Sequence, residues 1–164
     1  MARYSASWTT VTCTATADAA SLVDATYPCI LQGGSATMRV NINEVYVGGE
    51  SAASNPTTMI LARDSTVQTG GVSVGRTALL DGSATAPGTL VNFGNTVVTT
   101  KPQRSSTLHL LHLSLNTFGG ISRWQARYGE EISVVGNTAS LGEVSLSAIT
   151  GTGISSGHIL YEIA

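Results

Sequence analysis

Three histidines, two adjacent glutamates, a G-x-S-x-G spacing and a glycine-rich run are the parts of this 164-residue chain that could do chemistry. His109 and His112 form an H-x-x-H pair, with His158 as a third nitrogen donor, and imidazoles in such numbers suggest a zinc site. The pair lies in Thr107 to Asn116 (TLHLLHLSLN), which reads as a strand because Leu111, Leu113 and Leu115 share a face. On a regular strand positions 109 and 112 point to opposite faces, so the two rings are not expected to converge on one ion. Histidines satisfied internally or at an interface are expected instead. Glu130 and Glu131 would have to flank a sugar to act as a glycosidase pair, and adjacent residues at a strand entrance face opposite ways. They read as a solvated turn, one of them within reach of Arg123 or Arg127. Gly153, Ser155 and Gly157 give the spacing of a nucleophile elbow without the strand-turn-helix that would present the serine. Gly70 to Gly75 (GGVSVG) lacks the G-K-S/T ending of a phosphate loop. No catalytic residue, metal ligand or cofactor is expected.

The elements that carry these residues are strands. In the last third, Ser122 to Tyr128, Ile132 to Val135, Leu141 to Ile149 and Gly157 to Ala164 are separated by turns at Gly129-Glu130-Glu131, Gly136-Asn137 and Thr150 to Gly153. Val144, Leu146 and Ala148 alternate with Glu143, Ser145 and Ser147, predicting one buried and one wet face. Ile159, Tyr161 and Ile163 repeat the pattern. Upstream, Tyr27 to Leu31 is a short strand. Met38 to Val47 is a strong one, in which the apolar parity flips from Met38, Val40 and Ile42 to Val45 and Val47, as a β-bulge produces. Thr57 to Arg63 (TTMILAR) is apolar throughout, like a central strand. Residues 16 to 22 (TADAASL) allow a short helical turn. Residues 64 to 94 are broken by glycines into a long loop region, the kind of segment that makes contacts. Thr96 to Thr100 is a short strand that Pro102 ends. The whole is an all-β, single-domain antiparallel β-sandwich, of jelly-roll type, with a long Gly-rich loop region.

Residues 1 to 15 stand apart from the sandwich of residues 16 to 164. They are extended, with Ala6, Trp8, Thr10 and Thr12 on one face, and Trp8 is their anchor. They either pack within their own domain or reach a neighbour as an arm. Arg123, Trp124, Arg127 and Tyr128 make the densest cluster of residue types enriched in interface hot spots. Trp124 and Tyr128 share a face with Ala126. They form a core-facing aromatic pair with solvated arginines, or else the arginines meet acidic residues of another subunit.

Charged residues are only 11% of the chain, well below the roughly 25% of ordinary soluble domains. Ser, Thr, Gly and Ala replace them, a surface suited to being covered by a partner. Lys101 is the sole lysine and net charge is −2, so direct nucleic-acid binding through phosphates is not expected. No apolar run reaches membrane-spanning length, and Met1-Ala2-Arg3-Tyr4 leads into a Ser/Thr-rich strand rather than an export signal. Cys13 and Cys29 are therefore expected to be reduced.

The segment from Trp124 through Tyr128-Gly129-Glu130-Glu131-Ile132 to Gly157-His158-Ile159-Leu160-Tyr161-Glu162-Ile163, with the opening Met1-Ala2-Arg3-Tyr4, resembles small jelly-roll capsid decoration (cement) proteins of tailed bacteriophages. That resemblance implies a non-enzymatic virion protein, assembled in the host cytoplasm, that self-associates as a homotrimer and clamps the major capsid protein on the outer capsid surface. The competing expectation is a receptor- or glycan-binding jelly roll of a head fibre or tail. It would need exposed aromatics, for which Tyr27, Tyr46 and Phe93 are the candidates.

Overall fold

The computed structural model describes residues 3–23, 26–33, 35–70, 77–78, 90–92, 98–136 and 141–164. Their order is β1 (Arg3–Thr14), β2 (Cys29–Gln32), β3 (Arg39–Gly49), β4 (Pro56–Thr66), β5 (Thr69–Gly70), β6 (Thr77–Ala78), β7 (Leu90–Asn92), β8 (Val98–Thr100), β9 (Gln103–Asn116), β10 (Ile121–Gln125), β11 (Ile132–Val135), β12 (Glu143–Thr150) and β13 (Thr152–Ile163). One sheet runs β10-β3-β13-β1-β6, with β11 also on β3; the other runs β7-β2-β12-β4-β9; β5 and β8 form a small ribbon. All pairings are antiparallel. The chain is thus an all-β sandwich. Its core lies between the sheets, with Ala6, Trp8, Val40, Ile42, Val45, Val47, Ile159 and Tyr161 facing Cys29, Leu31, Met59, Leu61, Leu113, Val144 and Leu146.

The parity flip in β3 is a bulge. Leu160 pairs with Glu44 but Tyr161 pairs with Ile42, so Asn43 is the extra residue and both apolar pairs point inward. The bulge also divides the sheet edge. Residues 44–48 of β3 pair with β10, whereas residues 39–42 pair with β11, and the carbonyl of Asn43 accepts a hydrogen bond from Ala126 at 2.8 Å. Strand β10 accordingly stops at Gln125, short of the expected Tyr128.

Residues 3–14 form β1, which runs between β6 and β13 of its own chain. A second bulge corrects the expected faces. Trp8 pairs with Gly157 and Val11 with Ser155, leaving an extra residue at Thr9-Thr10, where Thr10 takes a φ of 55°. Beyond it Cys13 is buried and Val11 packs on the core, while Thr10 and Thr12 are exposed.

Segment 16–22 is a turn rather than a helix: Ala20 N donates to Ala17 O at 3.3 Å, and Ala19 has a φ of 59°. It lies across the outside of the second sheet, with Thr16 N bonded to Ala148 O, Ala19 N to Arg104 O and Leu22 N to Pro102 O. Leu22, Tyr27 and Ile30 form a small apolar cluster there. Arg104, Asp64 and Gln68 add to this cover over the outer face of β12. Glu143, Ser145 and Ser147, expected on a wet face, are all buried. Of the expected loop at 64–94, residues 64–66 complete β4, and residues 77–78 and 90–92 add short strands to the two sheets. The glycine-rich stretches 71–76, 79–89 and 93–97, and Phe93 with them, lie outside the described residues.

Candidate functional site

The outer face of the first sheet brings Glu44, Tyr46, Arg123 and His158 together on three neighbouring strands. Glu44 on β3 sits between two nitrogen partners, the Arg123 guanidinium on β10 and the His158 imidazole on β13. The Arg123 guanidinium donates to Glu44 Oε2 at 2.7 Å, and His158 Nε2 lies 2.9 Å from Oε1. The hydrogen bond from Arg123 holds the Glu44 carboxyl below its ordinary value; partial burial opposes it and His158 reinforces it. The Tyr46 ring stacks on His158 with centroids 5.2 Å apart and planes within 9°. Beside this cluster is a shallow cavity of about 260 Å³, walled by Tyr46, Glu50 and Ile121 and floored by Gly48, Gly120 and Gly157. Two of these glycines are explained by packing. A Cβ on Gly157 would collide with Tyr46 O and lie 2.6 Å from the Trp8 indole, and one on Gly120 would collide with the Asn116 backbone.

The edge itself carries apolar side chains. Phe118 is 61% exposed, Ile121 64% and Tyr128 103%. Of the expected contact residues, Arg123, Arg127 and Tyr128 are exposed along this edge. Trp124 is half-buried and packs against the core, so it does not share an environment with Tyr128. Trp8 is 4% exposed inside its own sandwich, with Nε1 donating to Ser155 Oγ at 3.3 Å. The glutamate turn is local: Gly129 has a φ of 83° and its N–H donates to Glu131 Oε1 at 3.0 Å.

The remaining candidates resolve into packing. Gly153, Ser155 and Gly157 face inward on β13, where small residues leave room for Thr117 and Trp8, and the Ser155 hydroxyl also meets Cys13 Sγ at 3.1 Å. His109 and His112 do not face opposite ways. A bulge at Leu110, between the Leu61–Leu111 and Ala62–His109 pairs, resets the alternation, and the rings meet edge to face at 5.3 Å. His109 is held by Asp18 Oδ1 at 3.2 Å, while His158 lies on the other sheet. Among the described residues no group of three or more potential ligands could hold a metal ion.

A buried polar cluster on the outside of the second sheet was not anticipated. Arg104 is fully buried. Its Nε donates to Asp18 at 2.6 Å, and its terminal nitrogens donate to Ser147 Oγ and Thr16 O. Burial tends to raise the Asp18 carboxyl, but the hydrogen bonds from Arg104 and His109 outweigh it and hold the group below its ordinary value. Next to this lie Asp64 and Glu143, both fully buried. The signal in the sequence was the alternation of β12 itself, since nothing local distinguishes a wet polar face from a covered one.

Comparison with protein-family models, with curated proteins and with solved structures gives no match for this chain. No helix among the described residues is long and apolar enough to cross a membrane.

Proposed function

We propose that this chain is a non-enzymatic structural protein of a virion, a decoration protein that self-associates and covers the outer capsid surface. The observation that carries this reading is where exposed apolar side chains concentrate. Of the six large hydrophobics exposed among the described residues, four (Phe118, Ile121, Tyr128 and Val135) fall between positions 118 and 135. That segment forms the β10–β11 edge. An open sheet edge with apolar side chains is a template for another chain, and Arg123 and Arg127 on the same segment supply hot-spot chemistry. The low charge of the whole chain suits the same role.

The strand order supports a jelly roll. Strands β1, β3, β10 and β13 fall in one sheet and β2, β4, β9 and β12 in the other, and with β11 taken as the continuation of β10 along β3 the chain changes sheet at every step between these eight except from β4 to β9. Jelly rolls recur in viral shells and in lectins, so topology alone does not separate the two. The Tyr46 cavity favours the second reading, a glycan- or receptor-binding virion protein. Of its other aromatic candidates, Tyr27 is 1% exposed and Phe93 lies outside the described residues.

The decisive experiment is quantitative mass spectrometry of virions carrying this chain, paired with light scattering of the purified protein. Decoration requires a copy number comparable to the major capsid protein, and trimerisation a mass near three chains. Ile121→Asp should abolish assembly at unchanged thermal midpoint. A copy number of a few per virion, with a glycan-array signal lost in Tyr46→Ala, would replace decoration with the second reading.

A further inference from the structure

The register of the second sheet sets two carboxyls against each other. Arg63 on β4 pairs with Val144 on β12, so one step along the antiparallel ladder Asp64 stands opposite Glu143. Directly opposed side chains have Cβ atoms about 4.5–5.5 Å apart, and like charges in that position repel. Both residues are 0% exposed. Ser145 Oγ donates to Asp64 Oδ1 at 2.6 Å, and the Gln68 backbone N–H donates to Glu143 Oε1 at 2.9 Å. The other oxygen of each, Asp64 Oδ2 and Glu143 Oε2, has no donor. Two buried orphan acceptors on opposed residues are satisfied together by one hydrogen placed between them.

We propose that Asp64 and Glu143 hold a shared proton, and that this proton is a pH-responsive clamp joining β4, β12 and the Val67-Gln68 link into β5. The groups facing the pair leave it little other compensation. From β9 comes Arg104, whose nitrogens are bonded to Asp18, Ser147 and Thr16. From β2 comes Gln32, the neighbour of Glu143 across the ladder, and from the link between β4 and β5 comes Gln68, backed by the Tyr27 phenol at 3.4 Å. His109 lies beyond Asp18. Arg63 donates instead to Leu141 O and Ser133 O.

Burial, followed by the neighbouring Glu143 carboxyl, pushes Asp64 well above the carboxylate range, and burial raises Glu143 to about 7 against the hydrogen bond from Gln68. A carboxyl whose folded-state pKa lies above its unfolded value stabilises the fold fully below the unfolded value. That contribution is lost as pH rises through the folded value. The clamp is therefore closed in acid and opens from neutrality upward, in the reverse sense to an ion-paired carboxylate. Opening places a second negative charge between the strands and frees the link into β5 that Gln68 anchors.

The test compares wild type with Glu143→Gln and Asp64→Asn, each of which supplies an amide donor without a titrating group. In wild type the folding equilibrium constant should fall on the order of 100-fold between pH 4.5 and 8 from this pair. In Glu143→Gln that part of the pH dependence should vanish. Infrared spectroscopy of wild type needs no variant to fold: a protonated-carboxyl carbonyl band should persist at pH 7 and disappear in alkali. The same pH profile in wild type and variant, or no such band at pH 7, would overturn the proposal. A thermal midpoint that rises with calcium and falls with chelator would overturn it too, by showing that a cation rather than a proton bridges the pair.

Discussion

Replacing Trp8 with alanine asks which sandwich the N-terminal strand serves. In the structure the indole is 4% exposed, lies over Gly157 of the adjacent strand, and bonds Ser155 through Nε1. Truncating a buried tryptophan costs about 3–5 kcal/mol through lost transfer energy and residual cavity. Ser155 keeps Cys13 as a partner, so a fresh orphan hydroxyl adds little. For a domain of this size each kcal/mol lowers the midpoint by roughly 2–4 °C, giving a drop of about 6–20 °C. The assay is thermal and urea unfolding of the isolated protein under conditions where it is monomeric, followed by circular dichroism so that loss of a fluorophore does not matter. Removing residues 3–12 should be more severe, because it strips β13 of its whole neighbour along the register from Arg3 to Thr12. Should Trp8→Ala leave the monomer midpoint unchanged while assembly fails, the strand would be an arm whose anchor is the neighbour's, and the packing described here would be refuted.

Gly157→Ala attacks the same contact from the other side. The added methyl meets the Tyr46 carbonyl, a backbone atom that cannot swing away, so a loss of about 1–3 kcal/mol in urea unfolding is expected, and none if the strands can part. Arg104→Met leaves Asp18 without its main partner and the buried oxygens of Ser147 and Thr16 with one donor fewer. It should cost about 3–5 kcal/mol in chemical denaturation, and a near-neutral result would mean water replaces the guanidinium. Cys13 and Cys29 are both free and buried, and burial pushes the Cys13 thiol up to about 11 and the Cys29 thiol higher still. Neither should react with a thiol reagent at pH 8 until the protein is unfolded, when both should. Glu44 has its pKa lowered by Arg123, so its contribution is present above the unfolded value and lost as pH falls through the folded one. Glu44→Gln should flatten stability below about pH 4.5 by no more than about 1 kcal/mol, measured as the midpoint between pH 2 and 5.

What the sequence by itself determined was the alternation and one of its breaks. Val144, Leu146 and Ala148, or Ile159 and Tyr161, can face only one way once the strand period is two, and the flip after Ile42 could only be an extra residue. The bulges at Thr9-Thr10 and Leu110 were not legible. Neither changes an obvious apolar pattern: threonines flank the first, and leucines at 110 and 111 both touch the core around the second. The joining of His109 to His112 followed from that second bulge alone. The tertiary structure also decided what a polar face meant. Glu143, Ser145 and Ser147 alternate as a solvent-facing row would, but Gln68 bonds Glu143, Asp64 takes Ser145, and Arg104, itself bonded to segment 15–22, reaches Ser147 from β9. Strand period says which residues share a face; only the path of distant segments says whether water or protein covers it, and that difference separates ordinary surface carboxyls from the opposed, buried pair of Asp64 and Glu143.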